Sequence, residues 1–404
     1  MTSRKQKILF IAEAVTLAHV GRMLTLATAL DPQRYEVMVA ADPRYAKAIG
    51  TQPCEQTAIH TISGEHFFTA LEQGKPIYNK KILVDYVEED LSLINSFKPD
   101  VVVGDFRLSL AASARLAKVP YINVTNAYWS PYAKIKYPVP EIPLTRAMGV
   151  TVAQWLFNLA QPIAFAMHAQ PINAMLRHFG LPRVTNDLRH AYTEGDWTCY
   201  ADSPELVPMQ SLPSNHRFLG PILWSAPIPL PEWWDRIPTD NPVVYVNLGS
   251  SGQGDILPVI LQALACQPIS IIAATAGRTQ LGSVTDHIFI TEFINADAAC
   301  KRADLVICNG GSPSCYLALA HGKPTLSLPV NLDQYLNAQL ITNAGVGLML
   351  RSGQVTARRA WLSVQQLLEQ STIQKQTAKL AAHLNSLHAN ITFQEVLNEC
   401  IGQW

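Results

Sequence analysis

The feature that most limits how this chain can fold is an alternation that occurs twice. Short, continuous apolar runs are each followed by a helix-patterned stretch. In the first half, residues 8–12, 35–40, 101–104 and 121–124 read as strands, with helices over 20–30 and 108–117. In the second, strands are expected at 243–248, 269–274, 288–291, 305–308 and 325–328. Helices are expected there at 257–264, through Ala320 and over 335–344, with an amphipathic helical tail from 355 onward. A strand that is apolar along its whole length must be covered on both faces, which is the condition of a parallel sheet wrapped by helices. Between the two series, Pro208, Pro213, Pro221, Pro227, Pro229, Pro231, Pro238 and Pro242 preclude helix or central strand. The predicted architecture is α/β, with two doubly wound Rossmann-like domains facing each other across a cleft. The expected boundaries are 1–220, a proline-rich linker at 221–241, a second domain at 242–385, and a helix at 386–404 that packs back on the first.

Composition excludes several classes. The 404 residues are 48% hydrophobic and 15% charged, with 31 basic against 31 acidic side chains. A disordered chain needs the opposite balance, and a nucleic-acid binder needs a net positive field. No nucleic-acid partner is expected. Seven cysteines without a C-x-x-C pair argue against a disulfide framework or a structural zinc site, and for a reducing, cytoplasmic setting. Arg4, Lys5 and Lys7 precede only five apolar residues before Glu13, which suits a first buried strand better than a secretion signal. The stretch between Arg146 and His168 carries no formal charge, but Gln154, Asn158, Gln161 and Pro162 interrupt it. It reads as a buried or pocket-lining helix pair rather than a membrane span. A peripheral membrane contact through Trp155, Leu156, Phe157 and Phe165 stays open.

Anion-binding chemistry concentrates in the second half. The strand at 305–308 stops at Asn309-Gly310-Gly311, and a helix begins at Ser312-Pro313-Ser314. Glycines permit a tight turn, Ser312 suits an N-cap and Pro313 the first helical position. A helix N-terminus beside such a turn binds anions readily, although the same pattern also makes an ordinary strand-to-helix corner. Gly249, Ser250 and Ser251 follow the strand at 243–248 and form a second polar turn in the same domain. Two such turns converging suit a diphosphate, while a dinucleotide fingerprint and a P-loop lysine are both absent. Asp333 and Gln334 follow the strand at 325–328 and could either hold sugar hydroxyls or cap the next helix.

In the first half, His19 stands at the start of the helix at 20–30 and Asp105 at the end of the strand at 101–104. A helix N-terminus is a poor place for an imidazolium, so a neutral ring able to accept a proton is expected. A carboxylate there could orient it, the logic of a base with a positioning partner. Asp105 could equally pair with Arg107 or cap the following helix. Glu88, Glu89 and Asp90 read as a solvated helix face. Tyr128, Trp129 and Tyr132 could line an acceptor pocket or simply pack.

The series Asn309-Gly310-Gly311-x-x-Ser314, Gly322-Lys323-Pro324, Pro329-x-x-x-Asp333-Gln334, Asn337-Ala338 and Gly345-Val346-Gly347 resembles the donor-binding signature of family-one glycosyltransferases. These are enzymes of the GT-B fold, of the bacterial macrolide and plant secondary-metabolite type. Ala18-His19-Val20 resembles the family's segment that carries its catalytic base, and Asp105 sits where the family places the partner aspartate. The resemblance implies an inverting, metal-independent transfer of a sugar from a nucleotide diphosphate to a hydroxyl, with no cofactor. It also implies that Gly249, Ser250, Ser251, Asn309, Gly310, Gly311 and Ser314 hold the diphosphate, Phe293 the base, and Asp333 and Gln334 the sugar. The apolar 147–167 segment points to an apolar small molecule or lipid as acceptor. Four positions depart from the family pattern: Asn309 for histidine, Leu317 for an acid, Ala18 for glycine and Arg22 for proline. Two other readings are kept: an epimerase or hydrolase acting on a nucleotide sugar, and an inactive nucleotide-binding relative.

Overall fold

A computed structural model of the chain describes residues 4–249, 256–277 and 287–403. The chain divides into two compact units. One comprises Met1–Ile135, Phe157–Ile222 and His388–Trp404, the other Lys136–Leu156 and Leu223–Leu387.

The first unit is a seven-stranded parallel sheet. Its strands are β1 (Gln6–Ala12), β2 (Tyr35–Ala41), β3 (Glu55–Ala58), β4 (Val101–Asp105), β5 (Tyr121–Thr125), β6 (Trp197–Tyr200) and β7 (His216–Phe218), in the order 3-2-1-4-5-6-7. The buried runs predicted from apolarity form its centre. Ile8, Phe10, Val101, Val103, Ile122 and Val124 face one core, while Leu9, Ile11 and Val102 face the other. Helix α1 (Leu17–Thr28) buries Val20, Met23, Leu24, Leu26 and Ala27 on the sheet. On the opposite side, α2 (Lys80–Phe97) and α3 (Leu110–Ala117) pack together. The C-terminal helix Ala389–Gly402 closes this unit with Phe393, Val396, Leu397 and Cys400, all fully buried or nearly so. Strand order reverses between β1 and β4, whose register pairs Ala12 with Asp105. That reversal opens a crevice at the carboxyl ends of the strands, where open α/β sheets take ligands.

The charge-free stretch forms the helix pair expected of it: α4 (Pro143–His178) is two helices joined at a kink at Gly149, whose φ of +76° lies in the left-handed region. The expected burial is not found, since Val152, Trp155, Leu159, Ile163 and Met167 are exposed. Pro162 and Pro171 lie within it. Its first turns belong to the second unit because Arg351 fixes the preceding segment. The Arg351 Nε donates to Glu141 Oε2 at 3.0 Å, and its Nη2 donates to the Val139 carbonyl at 3.1 Å.

The second unit has a six-stranded parallel sheet in the order 10-9-8-11-12-13. It comprises β8 (Val243–Asn247), β9 (Ser270–Ala274), β10 (Ile288–Thr291), β11 (Leu305–Cys308), β12 (Thr325–Ser327) and β13 (Gly347–Met349). Helices α5 (Ile256–Leu264), α6 (Ser312–Ala320) and α7 (Leu332–Asn343) cover it. The order again reverses at its centre, between β8 and β11, and the register pairs Asn247 with Cys308. The residues that follow those two, Leu248-Gly249 and Asn309-Gly310, therefore leave the sheet side by side. All seven cysteines are free.

Candidate active site

The two chemistries singled out in the sequence sit at the two strand-order reversals. In the first unit, the Glu13 amide donates to the Asp105 carbonyl at 3.0 Å, tying the exit of β1 to the end of β4. The chain then turns into α1, whose third residue is His19. Its Nδ1 lies 2.8 Å from Asp105 Oδ1. Arg22 Nη2 stands 3.1 Å from the same nitrogen but can give its proton to Asp105 Oδ1, so the shorter contact, to a carboxylate that only accepts, assigns the proton to Nδ1 and the lone pair to Nε2. The ring stacks on Phe106 at a centroid separation of 5.2 Å and an interplanar angle of 10°. Only 17% of the His19 side chain is exposed, against 2% for Asp105. The ring is thus gripped through one nitrogen and one face.

Arg22 completes the arrangement. It stands one helical turn after His19, on the same face, and is buried. Its Nε lies 2.8 Å from Asp105 Oδ2, and its Nη2 donates to Asp105 Oδ1 at 3.2 Å. Its Nη1 donates to Asn126 Oδ1 at 3.0 Å, and Asn126 Nδ2 in turn donates to Asp202 Oδ2 at 3.1 Å. Sequence reasoning registered Arg22 only as a departure from proline. The available signal was an arginine at i+3 from the histidine, on a helix face otherwise apolar. Replacing Arg22 by methionine is expected to lower kcat about 10- to 100-fold without changing nucleotide affinity, because Asp105 loses its fixed counter-charge. Lysine should recover part of the loss, since it restores charge but not the planar fork. Steady-state kinetics alongside a nucleotide titration would measure both effects.

The alternative partner for Asp105, Arg107, is turned elsewhere. Its guanidinium is fully buried, donating to Glu13 Oε2 at 3.0 Å, Asp90 Oδ1 at 3.0 Å and Glu89 Oε2 at 3.1 Å. Ser109 and Ser113 hydroxyls donate to Asp90 Oδ2 at 2.5 and 3.2 Å. The acidic run read as a solvated face is therefore only partly one. Glu88 is exposed, but Asp90 is wholly buried, because a helix of this length turns one of three adjacent acids inward. Burial pushes the Glu13 and Asp90 carboxyls above their ordinary range, with the Arg107 charge opposing that shift. Between Asp105 and Arg107, Phe106 adopts φ +59°, a left-handed conformation rare for an aromatic residue. Its neighbours are anchored in two separate ionic groups, and the backbone twists to serve both.

Of the aromatic residues considered for an acceptor pocket, Tyr128 is fully buried. Trp129 packs edge-on against Tyr192 at 5.2 Å, and Tyr132 edge-on against His216 at 5.5 Å. Tyr192 in turn contacts Phe106 at 5.4 Å, so a continuous line of rings leads from His19 to Trp129.

In the second unit, Gly310 has φ +82°. A β-carbon there would lie 3.1 Å from the Gln334 carbonyl oxygen and 3.3 Å from Ser327 Cβ. The Gly310 carbonyl accepts from Asn337 Nδ2 at 2.8 Å, and Asn309 Oδ1 accepts from the Gly311 amide at 3.0 Å. Asn309 also closes on the other turn, since a β-carbon on Gly249 would sit 3.3 Å from its Nδ2. The turns after β8 and β11 thus meet, while Ser250 and Ser251 lie outside the described residues. Gly311 is the N-cap of α6 in place of the expected Ser312, which becomes the first helical residue and is buried. Pro313 follows it in second place, where its missing N–H still costs nothing, and Ser314 is half-buried in the same turn. An anion at this corner meets the positive end of α6.

Asn331, not Asp333, caps α7, accepting from the Gln334 amide at 3.1 Å. The Gln334 side chain is buried and its Oε1 accepts from Val330 N at 2.9 Å, while Asp333 is half-buried. Leu317 is buried, and Phe293 is 46% exposed just beyond β10. Among the described residues, no three His, Cys, Asp or Glu side chains stand close enough together to hold a metal ion. Gly310→Ala is expected to cost about 1–3 kcal/mol of stability through strain at the turn. It should also weaken nucleoside diphosphate binding, and thermal melts with and without nucleotide would report both.

Comparison with known proteins places these features in context. Residues 259–402 match the model of the erythromycin biosynthesis protein CIII-like C-terminal domain. The chain is 45% identical over 379 residues to a PGL/p-HBAD biosynthesis glycosyltransferase of Mycobacterium tuberculosis, covering 94% of this chain and 89% of that one. It is 45% identical over 381 residues to a PGL/p-HBAD biosynthesis rhamnosyltransferase of Mycobacterium bovis, with coverage of 94% and 85%. A further Mycobacterium bovis relative, named an inactive PGL/p-HBAD biosynthesis glycosyltransferase, is 48% identical over 262 residues, 65% of this chain and 72% of its own. Among solved structures, spinosyn rhamnosyltransferase SpnG complexed with thymidine diphosphate superimposes with a TM-score of 0.69 at 18% identity. That match covers 97% of this chain and 99% of the other. The glycotransferase of kitacinnamycin gives 0.72 at 18% identity, covering 98% and 99%.

Proposed function

The chain belongs to the family-one glycosyltransferases of the GT-B fold, and on that footing we propose that it moves a sugar from a nucleoside diphosphate to a hydroxyl of a lipid-like acceptor, inverting the anomeric centre, with His19 as base. The observation that carries the reading is the 2.8 Å contact between His19 Nδ1 and Asp105, which leaves Nε2 as the ring's proton acceptor. Nε2 takes the acceptor's hydroxyl proton while that oxygen bonds to the anomeric carbon. The carbon–oxygen bond to the diphosphate breaks from the opposite face, and the electron pair leaves with the nucleotide. Asp105 stabilises the imidazolium that forms, and Arg22 keeps the carboxylate in place. The departing diphosphate is received at the corner where the turns at Gly249 and Asn309–Gly311 meet, against the positive amino end of α6, because the Gly249 and Gly311 amides themselves donate to Asn247 and Asn309. Phe293 would serve the base, and Asp333 with Gln334 the sugar.

A lipid-like acceptor is supported by the relatives named for PGL/p-HBAD biosynthesis. The enzyme would meet such a substrate peripherally, at a membrane surface. Among the described residues, no helix is long and apolar enough to cross one. Similarity alone does not decide turnover, since a relative named inactive is 48% identical over 262 residues; the intact pair favours an active enzyme.

The test is to incubate the protein with a panel of nucleotide sugars and a lipid extract, and to follow free nucleoside diphosphate. Release that requires the extract and disappears in His19→Ala supports transfer. Release without extract would favour hydrolysis, and binding without release an inactive relative.

A further inference from the structure

Helix α4 is apolar on two sides. Phe165, Ala169, Ile172, Met175 and Leu176 are buried, as a packed helix requires. Val152, Trp155, Leu159, Ile163 and Met167 are exposed, the middle three by 63, 60 and 67%. Their spacing of three or four residues confines them to an arc of about 120° on a helix that turns about 100° per residue. Of thirteen large apolar side chains exposed among the described residues, six come from this helix once Met148 is included. The exposure is therefore concentrated in one stripe instead of scattered, and a stripe of this kind marks an interaction site.

Charge is distributed to match one partner. No Asp or Glu occurs from 142 to 186, and the only formal charges on α4 are Arg146 and Arg177, both exposed and near its two ends. An apolar stripe with cationic ends and no acid suits an anionic lipid surface, where the apolar side chains enter the acyl boundary and the guanidinium groups meet phosphates. Too polar to span, such a helix lies along the surface.

We propose that the exposed face of α4 docks on an anionic bilayer, with Trp155, Leu159 and Ile163 inserted below the headgroups. This rests on the lipid-acceptor reading and adds to it the surface by which the enzyme reaches its substrate. The full chain would be sedimented with vesicles of phosphatidylglycerol and phosphatidylcholine, and separately with phosphatidylcholine alone. Wild-type protein should bind the anionic vesicles more tightly, with affinity falling as salt rises. The double variant L159E/I163E should bind them about tenfold or more weakly, while transfer to a soluble short-chain acceptor is unchanged. Brominated lipid should quench more tryptophan emission in wild type than in Trp155→Phe. Equal binding by the double variant overturns the proposal. So does a substitution that merely dissociates an oligomer and leaves vesicle binding intact, which would make the stripe a contact between copies. If vesicle binding responds as expected but no acceptor is ever glycosylated, the docking surface stands and the transfer reading falls.

Discussion

His19→Ala is expected to reduce turnover by about 10³-fold, within the range that a positioned general base supplies. The ring has one nitrogen committed to Asp105 and one left to accept a proton, and alanine removes the acceptor without touching the phosphate corner. Nucleoside diphosphate affinity and thermal stability should therefore stay near wild type while kcat collapses. Asp105→Asn tests the same geometry from the other side. An amide can present an N–H to Nδ1, and it cannot stabilise the imidazolium, so a loss of about 10²-fold or more is expected. Release of nucleoside diphosphate, measured with a titration of the same nucleotide, separates chemistry from binding. An alanine variant that turns over at a wild-type rate would remove His19 from the mechanism.

The largest stability effect should come from Arg107→Met. The guanidinium neutralises two carboxylates, Glu13 and Asp90, that are themselves fully buried, and it lies 3.7 Å over the Tyr86 ring. Breaking a buried pair by removing one partner leaves uncompensated charge, at a cost of about 3–5 kcal/mol. The sign of the pH dependence follows from burial. Desolvation already raises both carboxyls in the folded protein, and losing Arg107 raises them further. Folded protein then binds protons that the unfolded chain has released, so stability falls as pH rises from the ordinary carboxylate range through the raised values. The deficit should be small in acid and full at neutral pH. Adding Glu13→Gln and Asp90→Asn to Arg107→Met should restore part of it. Thermal melts across pH would show this, and a variant that melts like wild type at neutral pH would contradict the assignment.

How far the sequence announced this structure depends on how local each signal is. Central strands such as β1, β4 and β11 are continuous apolar runs and were legible to within a residue or two. Strand β3, with the sequence Glu-Gln-Thr-Ala, is a largely exposed edge and carries no apolar signature. Strand β7, His-Arg-Phe, and β13, Gly-Leu-Met, are each buried at only their first residue, whereas the equally short β12 is buried throughout and was legible. The site divides the same way. His19 and Asp105 are 86 residues apart, and their pairing was reachable only through the doubly wound topology and a family resemblance. Arg22 lay in plain view at i+3 but without a reason to suspect its partner. Asp90 was misread because its counter-charge, Arg107, lies 17 positions further along, beyond the reach of any helical pattern.

The division of the chain has a practical consequence for protein engineering. His19, Arg22, Asp105 and Asn126 all belong to one unit, while the glycine corner and α7 belong to the other. On the proposed mechanism, recombining halves from relatives with different sugar preferences would reprogram the donor while keeping His19 with its partners. A single crossover in the proline-rich stretch would, however, strand residues 136–156 away from Arg351 and part the C-terminal helix from Phe10 and its neighbours. Chimeras that keep their cores need additional junctions, so that 136–156 travels with the incoming half and 388–404 stays behind with the host.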